Sequence, residues 1–92
     1  MIKSFKHKGL KKFFESGELK GIQAKHKTKL KLILDYLDAL EDILDINIPS
    51  LKLHLLEPKK KSIYSVTISG NWRITFKFEN NDVYIVNYLD YH

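Results

Sequence analysis

The sequence predicts a small two-layer α+β domain, with two amino-terminal helices packed on one face of a twisted, mainly antiparallel sheet. Three observations predict it. Two stretches in the first half repeat apolar residues at helical spacing, three runs in the second half alternate apolar with polar residues, and turn-forming residues separate those runs.

The alternating runs are the most regular part of the chain. Ile63–Ser69 alternates Tyr64, Val66 and Ile68 with Ser65, Thr67 and Ser69, and Trp72–Glu79 alternates Trp72, Ile74, Phe76 and Phe78 with Arg73, Thr75, Lys77 and Glu79. A third run follows at residues 83–88. Gly70-Asn71 and Asn80-Asn81-Asp82 lie between them, residue types that accept the backbone angles of tight hairpins. Successive strand side chains point to opposite faces, so the apolar set needs a cover and the polar set stays open.

Ile2-Lys3-Ser4-Phe5 also alternates and predicts a short edge strand of the same sheet. Lys8–Ser16 predicts a short helix, because Leu10, Phe13 and Phe14 stand at i, i+3 and i+4 and Gly17 supplies a C-terminal stop. A longer helix is expected from about Ala24. Leu30, Ile33, Leu34, Leu37 and Leu40 form its apolar stripe, which Ile43 and Leu44 extend. Its lysines (Lys25, Lys27, Lys29, Lys31) come early and its acids (Asp35, Asp38, Glu41, Asp42, Asp45) late, against the preference of the helix dipole. Pro49 breaks the pattern, and Leu51-Lys52-Leu53-His54 predicts another short strand. Glu57-Pro58-Lys59-Lys60-Lys61 then reads as a cationic loop leading into the sheet.

With 92 residues, 43% hydrophobic, and no repeat or linker, residues 1–92 are expected to form one domain with a real core. The absence of cysteine excludes disulfides and thiolate zinc sites and fits a reducing, cytoplasmic setting. The apolar runs are too short for a membrane span, and Lys3 and Lys6 interrupt the amino-terminal segment, so neither a membrane anchor nor a signal peptide is expected. The net charge of +5, with a pI near 9.4, favours a polyanionic partner. A lysine-rich solvated surface has the same composition, so charge alone assigns no function.

The chemistry available is narrow. His7, His26, His54 and His92 share no metal-binding helical spacing, no glycine loop matches a phosphate-binding motif, and no nucleophile elbow is present. No metal and no cofactor are therefore expected. His54, Arg73, Asp90, Tyr91 and His92 remain. Such a set can run RNA cleavage: a base takes the proton of a ribose 2′-hydroxyl, a cation holds the phosphate, and an acid protonates the leaving 5′ oxygen. Histidine titrates near neutral pH, and arginine suits bidentate phosphate recognition. From pattern alone, His54 between leucines fits a structural role as well, and Asp-Tyr-His fits a plain tail.

Taken together, Met1-Ile2-Lys3-Ser4-Phe5, Lys8-Gly9-Leu10, Lys52-Leu53-His54, Asn71-Trp72-Arg73-Ile74-Thr75-Phe76 and Tyr88-Leu89-Asp90-Tyr91-His92 resemble the HigB branch of the RelE/ParE toxin superfamily. The resemblance implies a microbial RelE-like fold and a toxin of a type II toxin–antitoxin pair that cleaves mRNA in the ribosomal 30S A site. It matches His54, Asp90, Tyr91 and His92 to the residues around the scissile phosphate and Arg73 to the strand arginine that holds it. His54 and His92 would share the proton work, Asp90 would orient a histidine or act as base, and Tyr91 would position or stack on the nucleotide. Lys59, Lys60, Lys61 and Lys77 are the expected RNA- or ribosome-binding cations. Glu57 stands where such toxins commonly carry a lysine, and Tyr64 where a tryptophan is frequent. The implied partners are a helix-turn-helix antitoxin of the HigA type, the ribosome and mRNA, with the free toxin monomeric. The alternatives are a ParE-like toxin, which shares the fold and blocks DNA gyrase by contact, and a toxin that has lost catalysis.

Overall fold

The computed structural model describes residues 1–56 and 62–91. Helix α1 (Lys8–Ser16) and helix α2 (Lys27–Asp38) precede a four-stranded antiparallel sheet in the order β1 (His54–Leu55), β2 (Ile63–Ser69), β3 (Trp72–Glu79) and β4 (Asp82–Asp90). α1, β2 and β3 have the bounds that their periodicity predicts.

Each end of α1 is closed. The His7 Nδ1 accepts the Leu10 N–H at 2.9 Å, and Gly17, at φ 78°, donates its N–H to the Phe13 carbonyl at 2.8 Å. Gly9 and Gly21 bring α1 against the following loop at a backbone distance no side chain tolerates: a Cβ on Gly9 would lie 2.7 Å from the Gly21 Cα.

α2 carries the core. Leu30, Ile33, Leu34 and Leu37 are fully buried and share one cluster with Val66, Ile68, Ile74 and Phe76 from the apolar face of β2 and β3. Trp72 and Phe78 are partly buried against it. The stripe does not run on to Leu44, contrary to the sequence expectation. Helix α2 stops at Asp38, Leu40 is buried just beyond it, and Leu44 is 67% exposed. The cause is a competing cap. The Asp42 carboxylate accepts the Leu44 N–H at 2.9 Å and the Asp45 carboxylate accepts the Asp42 N–H at 3.2 Å, which starts a separate 3-10 turn at Ile43–Ile46.

The predicted strand at Leu51-Lys52-Leu53-His54 also moves. Pro49–Leu51 forms a 3-10 turn, Lys52 takes the left-handed conformation (φ 50°), and pairing begins only at His54. The amino terminus does lie at the sheet edge, as two parallel bridges to β4. Val83 N–H donates to the Met1 carbonyl (2.9 Å), Lys3 N–H to that of Val83 (2.7 Å) and Lys6 N–H to that of Val86 (2.8 Å). β4 carries one extra residue opposite Phe76, a bulge at which Ile85 has φ 49° and donates its N–H to the Ser4 hydroxyl.

One buried polar group holds the helical layer to the sheet. His26, 3% exposed, places Nδ1 at 2.6 Å from the Tyr88 hydroxyl and Nε2 at 2.8 Å from the Ser69 hydroxyl. Burial first, then the charges of Lys25 and Lys29, hold its pKa below the ordinary histidine value. Burial raises that of Tyr88.

Two outcomes follow for stability. Leu37→Ala should cost about 2–5 kcal/mol in urea unfolding, the range for emptying a packed site. Because the folded chain resists protonating His26 while the unfolded chain does not, stability is full above the unfolded value of about 6.5 and declines as pH falls below it. Urea midpoints measured from pH 8 to pH 5 should show this decline, and His26→Gln should flatten it.

Candidate active site

The face of the sheet turned away from the helices carries the polar half of each strand. Pairing lines these residues up in rows. His54 stands opposite Ser65, Ser65 opposite Thr75, and Thr75 opposite Asn87; one step along, Thr67 stands opposite Arg73 and Arg73 opposite Leu89. Two strand spacings sideways and two residues along separate the His54 and Arg73 Cα atoms by roughly 12 Å. An imidazole and a guanidinium can close that distance onto one phosphate.

A cavity of about 370 Å³ occupies this face, and His54, Arg73 and Tyr91 all line it. Ser65, Thr67 and Thr75 form its floor, and Lys52 and Leu56 join His54 along one wall at every second residue. Lys52 was missed by the sequence reading, which placed it in a strand and gave it no role. Its left-handed backbone lets the chain turn out of the 3-10 segment and into β1 with His54 facing the cavity.

Arg73 is tethered. Its Nη1 donates to the Gly70 carbonyl at 2.7 Å and to that of Trp72 at 3.2 Å, which draws the guanidinium toward the β2–β3 turn. Tyr91 is half exposed and donates its backbone N–H to the Asn71 carbonyl of the same turn at 2.7 Å. One tight turn thus carries a hydrogen bond from each of two cavity residues.

The other sequence-predicted residues lie elsewhere. Asp90 pairs with Trp72 at the end of β4 and borders a neighbouring cavity with His7, Trp72 and Tyr88, on the helix side of the strand. Lys77 is outside the Arg73 cavity and forms an ion pair with Glu79 at 2.8 Å. Lys59, Lys60, Lys61 and His92 fall outside the described residues. Among the described residues, no group of three or more His, Cys, Asp or Glu side chains could hold a metal ion.

The His26 cluster was the second omission. The His26 ring meets Trp72 edge-on (centroids 5.5 Å apart), and Trp72 stacks on Tyr88 at 4.7 Å. The signal was present: His26 stands four residues before Leu30, on the buried stripe, where a histidine must be enclosed and paired.

Comparison with known proteins agrees with this architecture. Residues 3–92 match the model of a family described as the RelE-like toxin of type II toxin–antitoxin system HigB. The chain is 46% identical, over the full length of both proteins, to the endoribonuclease HigB of Proteus vulgaris. An uncharacterised protein of Haemophilus influenzae is 43% identical over 60 residues, 64% of this chain and 58% of the relative. The chain belongs to the RelE-like HigB toxins of type II toxin–antitoxin systems, a family whose toxins are paired with an antitoxin.

Proposed function

We propose that the chain is an endoribonuclease that cuts mRNA in the A site of the 30S subunit and so stops translation. The observation that carries this reading is the joint placement of His54, Arg73 and Tyr91 on one cavity of the open sheet face, with Lys52 adding a second positive charge. In the proposed reaction the ribose 2′-oxygen attacks the adjacent phosphorus. A base takes the 2′ proton, the bond from phosphorus to the 5′ oxygen breaks, and an acid protonates that oxygen. The products are a 2′,3′-cyclic phosphate and a 5′-hydroxyl, and no step calls for a metal ion.

Arg73 and Lys52 stabilise the charge that builds on the phosphate oxygens. His54 carries one proton transfer and His92 the other. The Tyr91 ring stacks on or positions a base at the cavity rim. Asp90 borders the adjacent cavity instead, which suits orientation of the chain end better than direct proton abstraction.

A cavity of about 370 Å³ on a sheet surface is small for holding several nucleotides bent into in-line geometry. The ribosome supplies that geometry, and the +5 net charge favours docking on ribosomal RNA, with Lys59–Lys61 contributing. No helix among the described residues is long and apolar enough to cross a membrane, which is compatible with action in the cytoplasm. A helix-turn-helix antitoxin of the HigA type binds the monomeric toxin and silences it.

Single-turnover cleavage of programmed ribosomes tests the reading. Wild type should cut ribosome-bound mRNA, leave naked mRNA essentially intact, and keep its rate when chelator is added at a level that leaves the subunits joined. His54→Ala should slow the step by roughly 10²–10⁴, the usual share of a general acid or base, with ribosome binding retained. Arg73→Ala should cost roughly 10²–10³, as loss of one transition-state charge donor does. A chain ending at Tyr91 should lose activity as His54→Ala does. Efficient specific cutting of naked RNA, or wild-type rates from His54→Ala and Arg73→Ala, would overturn the assignment.

A further inference from the structure

The β2–β3 turn is fastened from two sides. On the cavity side, Gly70 and Asn71 accept hydrogen bonds from Arg73 and Tyr91. On the helix side, the Ser69 hydroxyl meets His26 Nε2 at 2.8 Å and the Trp72 ring packs against both the His26 and Tyr88 rings. Four consecutive residues therefore divide between the cavity and one buried imidazole.

That imidazole is itself fixed. Tyr88 Oη accepts the Gln23 N–H at 3.4 Å and lies 2.6 Å from His26 Nδ1, to which it can donate its own hydrogen. With Nδ1 accepting, Nε2 carries the ring proton and donates to the Ser69 oxygen. The chain Gln23, Tyr88, His26, Ser69 then runs in one direction, and each partner has a single role. It requires a neutral ring, and burial together with Lys25 and Lys29 favours that form.

We infer that His26 is a positioning residue of the toxin: through Ser69 and Trp72 it locks the β2–β3 turn, and the turn in turn sets the Arg73 guanidinium and the Tyr91 backbone. The inference rests on the proposed roles of Arg73 and Tyr91. His26 touches no substrate. A catalytic geometry held at sub-ångström tolerance loses rate steeply when its support shifts.

Ser69 is exposed at the strand end, so its hydroxyl can be removed with little disturbance to the core. In Ser69→Ala, the Tyr91 backbone N–H should exchange with solvent about tenfold faster by NMR while α2 amides keep their protection. Single-turnover cleavage should fall by roughly tenfold or more with ribosome binding unchanged. Ser69→Thr, which keeps the hydroxyl, should restore both. Tyr88→Phe keeps the stacked ring, loses only the oxygen, and should move both readouts in the same direction. The inference is overturned if Ser69→Ala leaves Tyr91 exchange or cleavage at the wild-type level, or if threonine fails to rescue. Arg73→Ala in the same assay separates the two levels. If it cleaves like wild type, the reading of the cavity is wrong; if it is impaired and Ser69→Ala is not, only the role of His26 falls.

Discussion

Helix α2 can bury its stripe against only one face of the sheet, and that one-sidedness governs what the other face is free to carry. Val66, Ile68, Ile74 and Phe76 are consumed by the contact with Leu30, Ile33, Leu34 and Leu37. The period of two then forces Ser65, Thr67, Arg73 and Thr75 outward. Among the described residues no further layer of helix or strand covers them. A shift of one residue in the pairing of β3 would bury Arg73 and expose Ile74, so core packing and presentation of the arginine are specified by the same register.

The charge order of α2 makes sense in this frame. Lysines in the first turn oppose the helix dipole, at a cost of about a few tenths of a kcal/mol each when exposed. Yet the helix begins beside His26, which meets Ser69 at the same end of the sheet as the turn that tethers Arg73. Its acidic end lies about 18 Å away by helical rise. There Asp38 accepts the Ile2 N–H. The lysines of α2 thus stand at the helix end beside His26, and its acids toward the end beside the amino terminus.

Elements whose pattern met no competitor were legible to the residue. α1 had Gly17 to stop it, and β2 and β3 had a turn between them. The failures have local causes. The apolar spacing of Leu40, Ile43 and Leu44 reads as helix, but Asp42 with Asp45 forms a cap that starts a new turn, a preference that outweighs periodicity over so few residues. The left-handed angle at Lys52 is an uncommon one for lysine, and no spacing rule anticipates it. Of the candidate site, His54, Arg73 and Tyr91 could be selected by chemical type and resemblance, although Arg73 alone of the three lies in a strand whose bounds the periodicity predicts. Lys52 could not, and of the His26 network the spacing shows only that the ring is buried, since its partners Ser69 and Tyr88 lie far along the chain.

The amino-terminal bridges to β4 bear on how the sheet ends. Residues 1–6 occupy the outer edge of β4, and the Ile85 bulge bends that edge while Ser4 satisfies its N–H. At the opposite edge β1 offers two paired residues. A sheet finished in this way presents, among the described residues, no long flat row of unpaired amides on which another chain could grow, so a small protein rich in β-branched and aromatic strands is protected from edge-to-edge aggregation.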